Sequence, residues 1–453
     1  MRVLFVANPE KAHVLAMVPL AWALRTAGHE VRFASTPWFA DTLTQAGLTA
    51  VPVGRDSDLW DQLRRAMPNG EYRPEFGLPA PYDVVQDPER VDWAQLRDGY
   101  DHIVQSWHRP ACFPMISALV EFARAWQPDL VLWEPLAFGG PVAAKACGAA
   151  HGRLLWSYDA FGETREHFLR LKEQQPEGER SDPLAEWLGG YARKYGGEFS
   201  EDMTTGQFTV DQLPASLSGE SALPKVRMRF EPYGGPAVVP RWLWSAPARA
   251  RVALTMGVSA TDHGAGYTIS IQDVLDSLAD LDIEVVATIA ESEQAKLQRV
   301  PDNARLVSYV PLQALAATCD AVIHHAGFGT FLTMARHHPV PQLLLPWDFD
   351  GPVLARKAQE QGGSLVVRAD RATGASVREG VLRLLSEPAF RERAAALREE
   401  IESTPGPHQV VEQLEELVAA RRVAPSAYEG SWSSLSTWSR MALPVASLFG
   451  IHT

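Results

Sequence analysis

Residues 3–7 are apolar without alternation, and after them Leu15, Val18, Leu20, Ala21 and Leu24 recur at near-helical spacing until Gly28 stops the turn. A second apolar strand follows at 30–34, a short helix at 37–46 and a third strand at 48–53. Continuous apolar runs suit strands covered on both faces, and the helices between them supply the covers, so the chain opens as a doubly wound parallel sheet. Residues 55–115 break this rhythm with Pro, Trp and charged positions, as a long insertion of short helices and loops does. The pattern resumes with a helix at 116–126, a strand at 130–133, a helix at 140–147, a strand at 153–157 and a largely helical polar stretch at 162–200.

Residues 213–247 are rich in Pro and Gly, which is a linker composition. A second α/β series then begins: strands at 252–256, 283–289, 305–309, 321–325 and 342–345, a helix at 271–278, another from Gly327, and helices through 421. The predicted fold class is α/β, two Rossmann-like doubly wound domains facing across a cleft. The expected boundaries are 1–215, a linker and candidate hinge at 216–246, a second domain at 247–422, and a tail at 423–453, read as a partly ordered extension or a docking segment. Ligands of open α/β sheets sit beyond the carboxyl ends of the strands, so the loops there are where chemistry is sought.

Composition narrows the partners. Among 453 residues, 42 Lys+Arg face 55 Asp+Glu, a formal charge of −13, which repels a nucleic-acid backbone or an anionic membrane. Any phosphate bound here must be held by local groups. Cys112, Cys147 and Cys319 have no paired spacing, so neither a disulfide framework nor a zinc site is expected, and a reducing cytoplasm fits. The opening apolar run is too short for a signal peptide or a membrane span.

The strongest local signal is AVIHHAGFGT at 321–330, where a buried strand is expected to end at His325 and Gly327 and Gly329 open the next helix. Backbone N–H groups at such a helix start receive an anion, Thr330 can add a hydroxyl donor, and His325 can hydrogen-bond or neutralise a phosphoryl oxygen. Read alone, the segment also fits a glycine-rich helix entry with a structural histidine. The next strand leads into Trp347-Asp348-Phe349-Asp350-Gly351, whose carboxylates suit sugar hydroxyls, a hard cation, or simply water. His13 lies on the loop after the first strand, where a neutral imidazole can take a proton from a hydroxyl. Glu134 follows the strand at 130–133, and a carboxylate there can fix an imidazole tautomer.

Together these residues resemble glycosyltransferases with two Rossmann-like domains, the GT-B fold, and within them family 1 inverting enzymes. VPLAWALRTAGHEVRFAS at 18–35 is similar to the first helix and second strand of actinomycete antibiotic glycosyltransferases, and VIHHAGFGT resembles their phosphate loop. The stretches at 181–211 and 226–243 resemble the macrolide subgroup, which attaches deoxysugars from dTDP donors and often works with a cytochrome-P450-like auxiliary protein. The likeness implies His13 as general base and Glu134 in the place of the usual dyad aspartate. It implies donor binding at Ser259, at Tyr309, Val310 and Leu312 beside the base, at His325, Ala326, Gly327, Phe328, Gly329 and Thr330 around the pyrophosphate, and at Asp350 and Gly351 near the sugar. Many relatives have Asp-Gln at 350–351 and Asn at 354, where this chain has Gly351 and Leu354, which fits a sugar with fewer hydroxyls.

The implied reaction is inverting transfer of a deoxysugar from a dTDP-sugar to a hydroxyl of a polyketide or macrolide aglycone, with no metal and no cofactor beyond the co-substrate. Implied partners are the aglycone, the dTDP-sugar and a P450-like activator, with a homodimer compatible. The alternatives are a UDP-sugar transferase or nucleotide-sugar epimerase of the same fold, or an inactive sugar-nucleotide-binding relative.

Overall fold

A computed structural model describes residues 1–421 other than 57, 59, 62–64, 66–74, 220, 258 and 263–265. The tail at 423–453 and part of the insertion at 55–115 therefore lie outside the described residues. The first sheet contains β1 (Arg2–Val6), β2 (Glu30–Ser35), β3 (Ala50–Pro52), β4 (Leu130–Trp133), β5 (Ala150–Leu154), β6 (Thr209–Asp211) and β7 (Lys225–Arg227). Their spatial order is β3-β2-β1-β4-β5-β6-β7, all parallel. The second sheet contains β8 (Ala250–Thr255), β9 (Ile283–Thr288), β10 (Ala304–Val307), β11 (Ala321–His324), β12 (Gln342–Leu344) and β13 (Ser364–Val366), in the order β10-β9-β8-β11-β12-β13, also parallel. Two open parallel sheets that each reverse direction beside their first strand match the doubly wound expectation.

The unbroken apolar runs are buried on both faces, as that pattern requires. Val3, Leu4, Phe5 and Val6 of β1 and all four residues of β4 have no exposed surface. Each such side chain removed from water contributes about 1.5–3 kcal/mol before the entropy of ordering is charged against it. The helix Lys11–Thr26 and the helix Arg109–Trp126 cover opposite faces of the first sheet, in separate apolar clusters. Among the described residues, no helix is long and apolar enough to cross a membrane.

Several expectations shift. The helix expected at 116–126 begins at Arg109, with Pro110 in its first turn and Pro114 inside it. The strand expected at 153–157 is β5, three residues earlier, because its polar members are buried against acidic partners. Arg153 grips Asp159 through two hydrogen bonds of 2.9 and 2.7 Å, and His151 lies 3.3 Å from Asp202. The segment expected to be a linker supplies β7, an edge strand of the first sheet. Three-residue strands such as β6 and β7 are too short to show a period of two. The last described helix, Pro407–Arg421, follows the second domain in sequence but packs on the first, inserting Val410, Val411, Leu414 and Val418 among residues of the helix Lys11–Thr26. One apolar cluster runs through both domains, joining Trp156 and Phe161 of the first to Ala326, Phe328 and Phe331 of the second.

Candidate active site

Because β1 lies beside β4 and Val6 pairs with Trp133, the loops that leave these two strands are neighbours. The Glu134 amide donates to the Val6 carbonyl at 3.1 Å, which seats Glu134 against the start of the next helix. His13 sits in the first turn of the helix Lys11–Thr26, not on the loop before it. Its Nδ1 lies 3.6 Å from Oε2 of Glu134, whose side chain is fully buried. Three N–H groups close on that carboxylate: Leu136 N at 2.9 Å, Trp156 Nε1 at 2.9 Å and Asn8 N at 3.3 Å. The expected pairing of His13 with Glu134 is therefore present in space, and the carboxylate is fixed by donors of its own.

Trp156 was not anticipated. It follows β5, the neighbour of β4, and its indole lies flat on the His13 ring, with centroids 3.7 Å apart and planes 7° from parallel. One side chain thus stacks on the imidazole and donates to its carboxylate. The rule that strand-end loops carry the chemistry pointed at this position, but a tryptophan among apolar neighbours reads as core.

In the second domain β11 ends at His324, one residue earlier than expected. His324 is fully buried, its Nε2 2.7 Å from Gln342 Oε1, and it accepts the Ala326 amide at Nδ1, 3.2 Å away. That pair of contacts requires the neutral tautomer with hydrogen on Nε2, and burial pushes the imidazole down to about 3. The hydrogen bond that the Ala326 N–H donates to His324 Nδ1 helps hold Ala326 in a left-handed conformation, φ 67°. His325 follows, half-buried, packed against two glycines. A Cβ at Gly257 would come within 2.5 Å of its ring and one at Gly327 within 2.2 Å, so both positions require glycine.

Burial lowers the His325 pKa against the opposing pull of Asp348 and of a hydrogen bond to the Thr255 backbone, and Nδ1 is sealed from water. His325 therefore offers a hydrogen bond more readily than a charge. Gly327 caps the helix Phe328–His337 without a side-chain bond, leaving the first-turn amides open to an acceptor. Gly329 is exposed and Thr330 half-buried beside it. The side chains of Ala326 and Phe328 turn into the interdomain core, where Phe328 meets Phe230 edge-on at 5.2 Å, so these two residues present only backbone to the loop.

Tyr309 is 51% exposed and its hydroxyl donates to the Gly234 carbonyl at 3.1 Å. Val310 and Leu312 pack into a small core beneath it. Ser259 opens a short helix, Ser259–Asp262, and its side chain is outside the described residues. Asp350 precedes the helix Gly351–Gln361 without capping it, and Gly351 is buried behind it. Between the two aspartates, Phe349 adopts a left-handed φ of 51° and turns its ring toward the first domain, 5.8 Å from Trp156 and 6.4 Å from Phe161. The rings of His13, Trp156 and Phe349 form one column across the cleft, so the loop after β12 reaches the indole that stacks on His13. Among the described residues, no group of three or more His, Cys, Asp or Glu is placed to hold a metal ion.

Asp350 is half-buried, but its Oδ2 is sealed without a hydrogen-bond partner among the described residues, and burial, reinforced by Asp348, raises its pKa to about 7. A carboxyl with a raised folded-state value costs nothing below the ordinary 3.8 and lowers stability progressively as pH climbs from there to about 7. Asp350→Asn should therefore gain about 1–2 kcal/mol more over the parent at high pH than at low pH, since water reaching the half-buried side chain screens part of the effect. Denaturant unfolding on either side of that window measures it. Equal gains at both ends would mean that the carboxyl does not titrate there.

This arrangement has relatives. Residues 22–257 match the family model described as erythromycin biosynthesis protein CIII-like, N-terminal domain, and residues 272–417 match its C-terminal counterpart. The chain belongs to the erythromycin biosynthesis protein CIII-like family. It is 44% identical to the 10-deoxymethynolide desosaminyltransferase of Streptomyces venezuelae over 94% of this chain and 99% of that one. It is 41% identical to the 3-alpha-mycarosylerythronolide B desosaminyl transferase of Saccharopolyspora erythraea over 93% and 99% of the two chains. The solved glycosyltransferase VinC in complex with dTDP superposes with a TM-score of 0.82 at 36% identity, covering 93% of this chain and all of that one. The CIII-like chain is thus a glycosyltransferase of the GT-B fold, and its paired sheets and interdomain column are that fold's two halves and cleft.

Proposed function

We propose that the chain transfers a deoxysugar from a dTDP-sugar to a hydroxyl of a polyketide or macrolide-type aglycone, with inversion and with His13 as general base. The observation that carries this reading is the meeting of the His13–Glu134 pair with the loop after β12 through Trp156 and Phe349. An acceptor hydroxyl seated there loses its proton to His13, its oxygen attacks the anomeric carbon, and the bond to the β-phosphate breaks with its electron pair going to dTDP. Glu134, held by three N–H donors, stabilises the imidazolium that forms. The open amides at the start of the helix Phe328–His337, with a hydrogen bond from His325, receive the departing diphosphate. The scheme includes no metal.

Support for the donor and acceptor classes comes from kin. Desosaminyl transferases named for 10-deoxymethynolide and for 3-alpha-mycarosylerythronolide B align along nearly the whole chain, and a solved relative at 36% identity holds dTDP. Dependence on a P450-like activator belongs to the same reading and rests on the resemblance of residues 181–211 and 226–243 to the macrolide subgroup.

Thermal unfolding with dTDP, with UDP and without ligand tests the donor. A nucleotide at about 100 times its Kd adds about 2.7 kcal/mol, a rise of several degrees. The expected result is a larger rise with dTDP than with UDP, removed by His325→Ala. A larger rise with UDP would select the UDP-sugar alternative, and no rise with either would reduce the phosphate loop to inherited architecture.

A further inference from the structure

A cavity of 260 Å³ opens between the domains, lined by Lys11, Thr42 and Gln45 of the first and by Tyr233 and Tyr309 on the other side. Lys11 is exposed and has no hydrogen-bond or ion-pair partner among the described residues. It begins the helix whose third residue is His13, and side chains two apart on a helix diverge. His13 turns to Trp156, while Lys11 turns to the cavity at Tyr309. On the function proposed above, the sugar lies at His13 and the nucleoside at Tyr309, so the diphosphate must cross the interval that these two side chains flank.

The second domain brings little charge to that interval. The segments at 256–262, 308–313, 325–330 and 346–351 contain no lysine or arginine, and they contribute Asp262, Asp348 and Asp350. Burial keeps His325 toward its neutral form. In a chain of formal charge −13, a nucleoside diphosphate held only by backbone amides and a neutral imidazole would keep most of its charge uncompensated. We infer that Lys11, from the first domain, supplies the cation that neutralises the nucleoside diphosphate bound by the second. The donor site is then complete only when both domains contribute, and donor binding itself draws the first domain, with His13 on the same helix, against the sugar.

This inference rests on the donor reading, and calorimetric titrations of the full chain with dTDP and with thymidine separate the two. Lys11→Gln should weaken dTDP by about three- to tenfold, with the difference shrinking as salt is raised. Lys11→Arg should stay close to the parent, because a cation is retained. Thymidine, which lacks phosphate, should bind all three proteins alike. If the parent binds dTDP and Lys11→Gln binds it equally well, the inference falls while the donor reading stands. If dTDP and thymidine weaken together, Lys11 supports the nucleoside pocket and not the phosphate, which also overturns it. If the parent does not bind dTDP, the donor reading fails and takes the inference with it.

Discussion

Replacing His13 with alanine is expected to lower kcat by about 10²- to 10⁴-fold, the usual contribution of a positioned general base, while leaving the Kd for dTDP within about twofold. The asymmetry follows from geometry. The imidazole hangs from the first domain, stacked on Trp156 and 3.6 Å from Glu134, whereas the amides and His325 that would receive the diphosphate all belong to the loop after β11. Single-turnover transfer assays paired with dTDP titration separate the two effects. Loss of transfer and nucleotide binding to the same degree would sink the assignment of His13 as base. Because the substitution also removes a ring from the column that bridges the cleft, a melting curve belongs beside the kinetics.

The largest effect on stability should come from Glu134→Ala. Its carboxylate is fully buried and accepts from Asn8 N, Leu136 N and Trp156 Nε1, so removal orphans three buried donors at once. Leaving a buried donor unpaired costs about 1–3 kcal/mol, and breaking a buried charged network about 3–5 kcal/mol in total. A loss near the lower end corresponds to roughly 6–12 °C in Tm for a domain of this size. Thermal unfolding of the variant reads this directly, and a midpoint unchanged to within about a degree would mean that water replaces the carboxylate. Transfer should fall as well, since the Trp156 indole would lose the acceptor that orients it over His13.

The positions of several candidate residues were legible in the sequence. His13, Glu134, His325 and Asp350 each follow an apolar run in the sequence, and all four lie at strand-end loops or the first turn beyond them. Trp156 and Phe349 were not legible, because an aromatic residue carries no sign of whether it fills a core or lies on an imidazole. His324 was hidden for a related reason. In a doublet of histidines the residue that turns outward is decided by which side chain meets Gln342 behind the sheet.

What the chain determined by itself was local: continuous apolar runs for strands covered on both faces, helical spacing between them, and glycines where the backbone must start a helix beside a histidine ring. These depend on periods of two to four residues and survive in any window of the text. Tertiary structure alone decided which loops meet. The order β3-β2-β1-β4-β5 brings the ends of β1, β4 and β5 together and so assembles His13, Glu134 and Trp156. It decided that β7 joins the first sheet, that the helix Pro407–Arg421 returns to it, and that Phe349 crosses the cleft. It also set most of the rise in the Asp350 pKa, because burial by atoms packed around the carboxyl is its largest cause and the nearby Asp348 only adds to it. Register, burial and strand order are properties of hydrogen bonds and contacts between distant segments, and no stretch of the sequence holds both partners of such a contact.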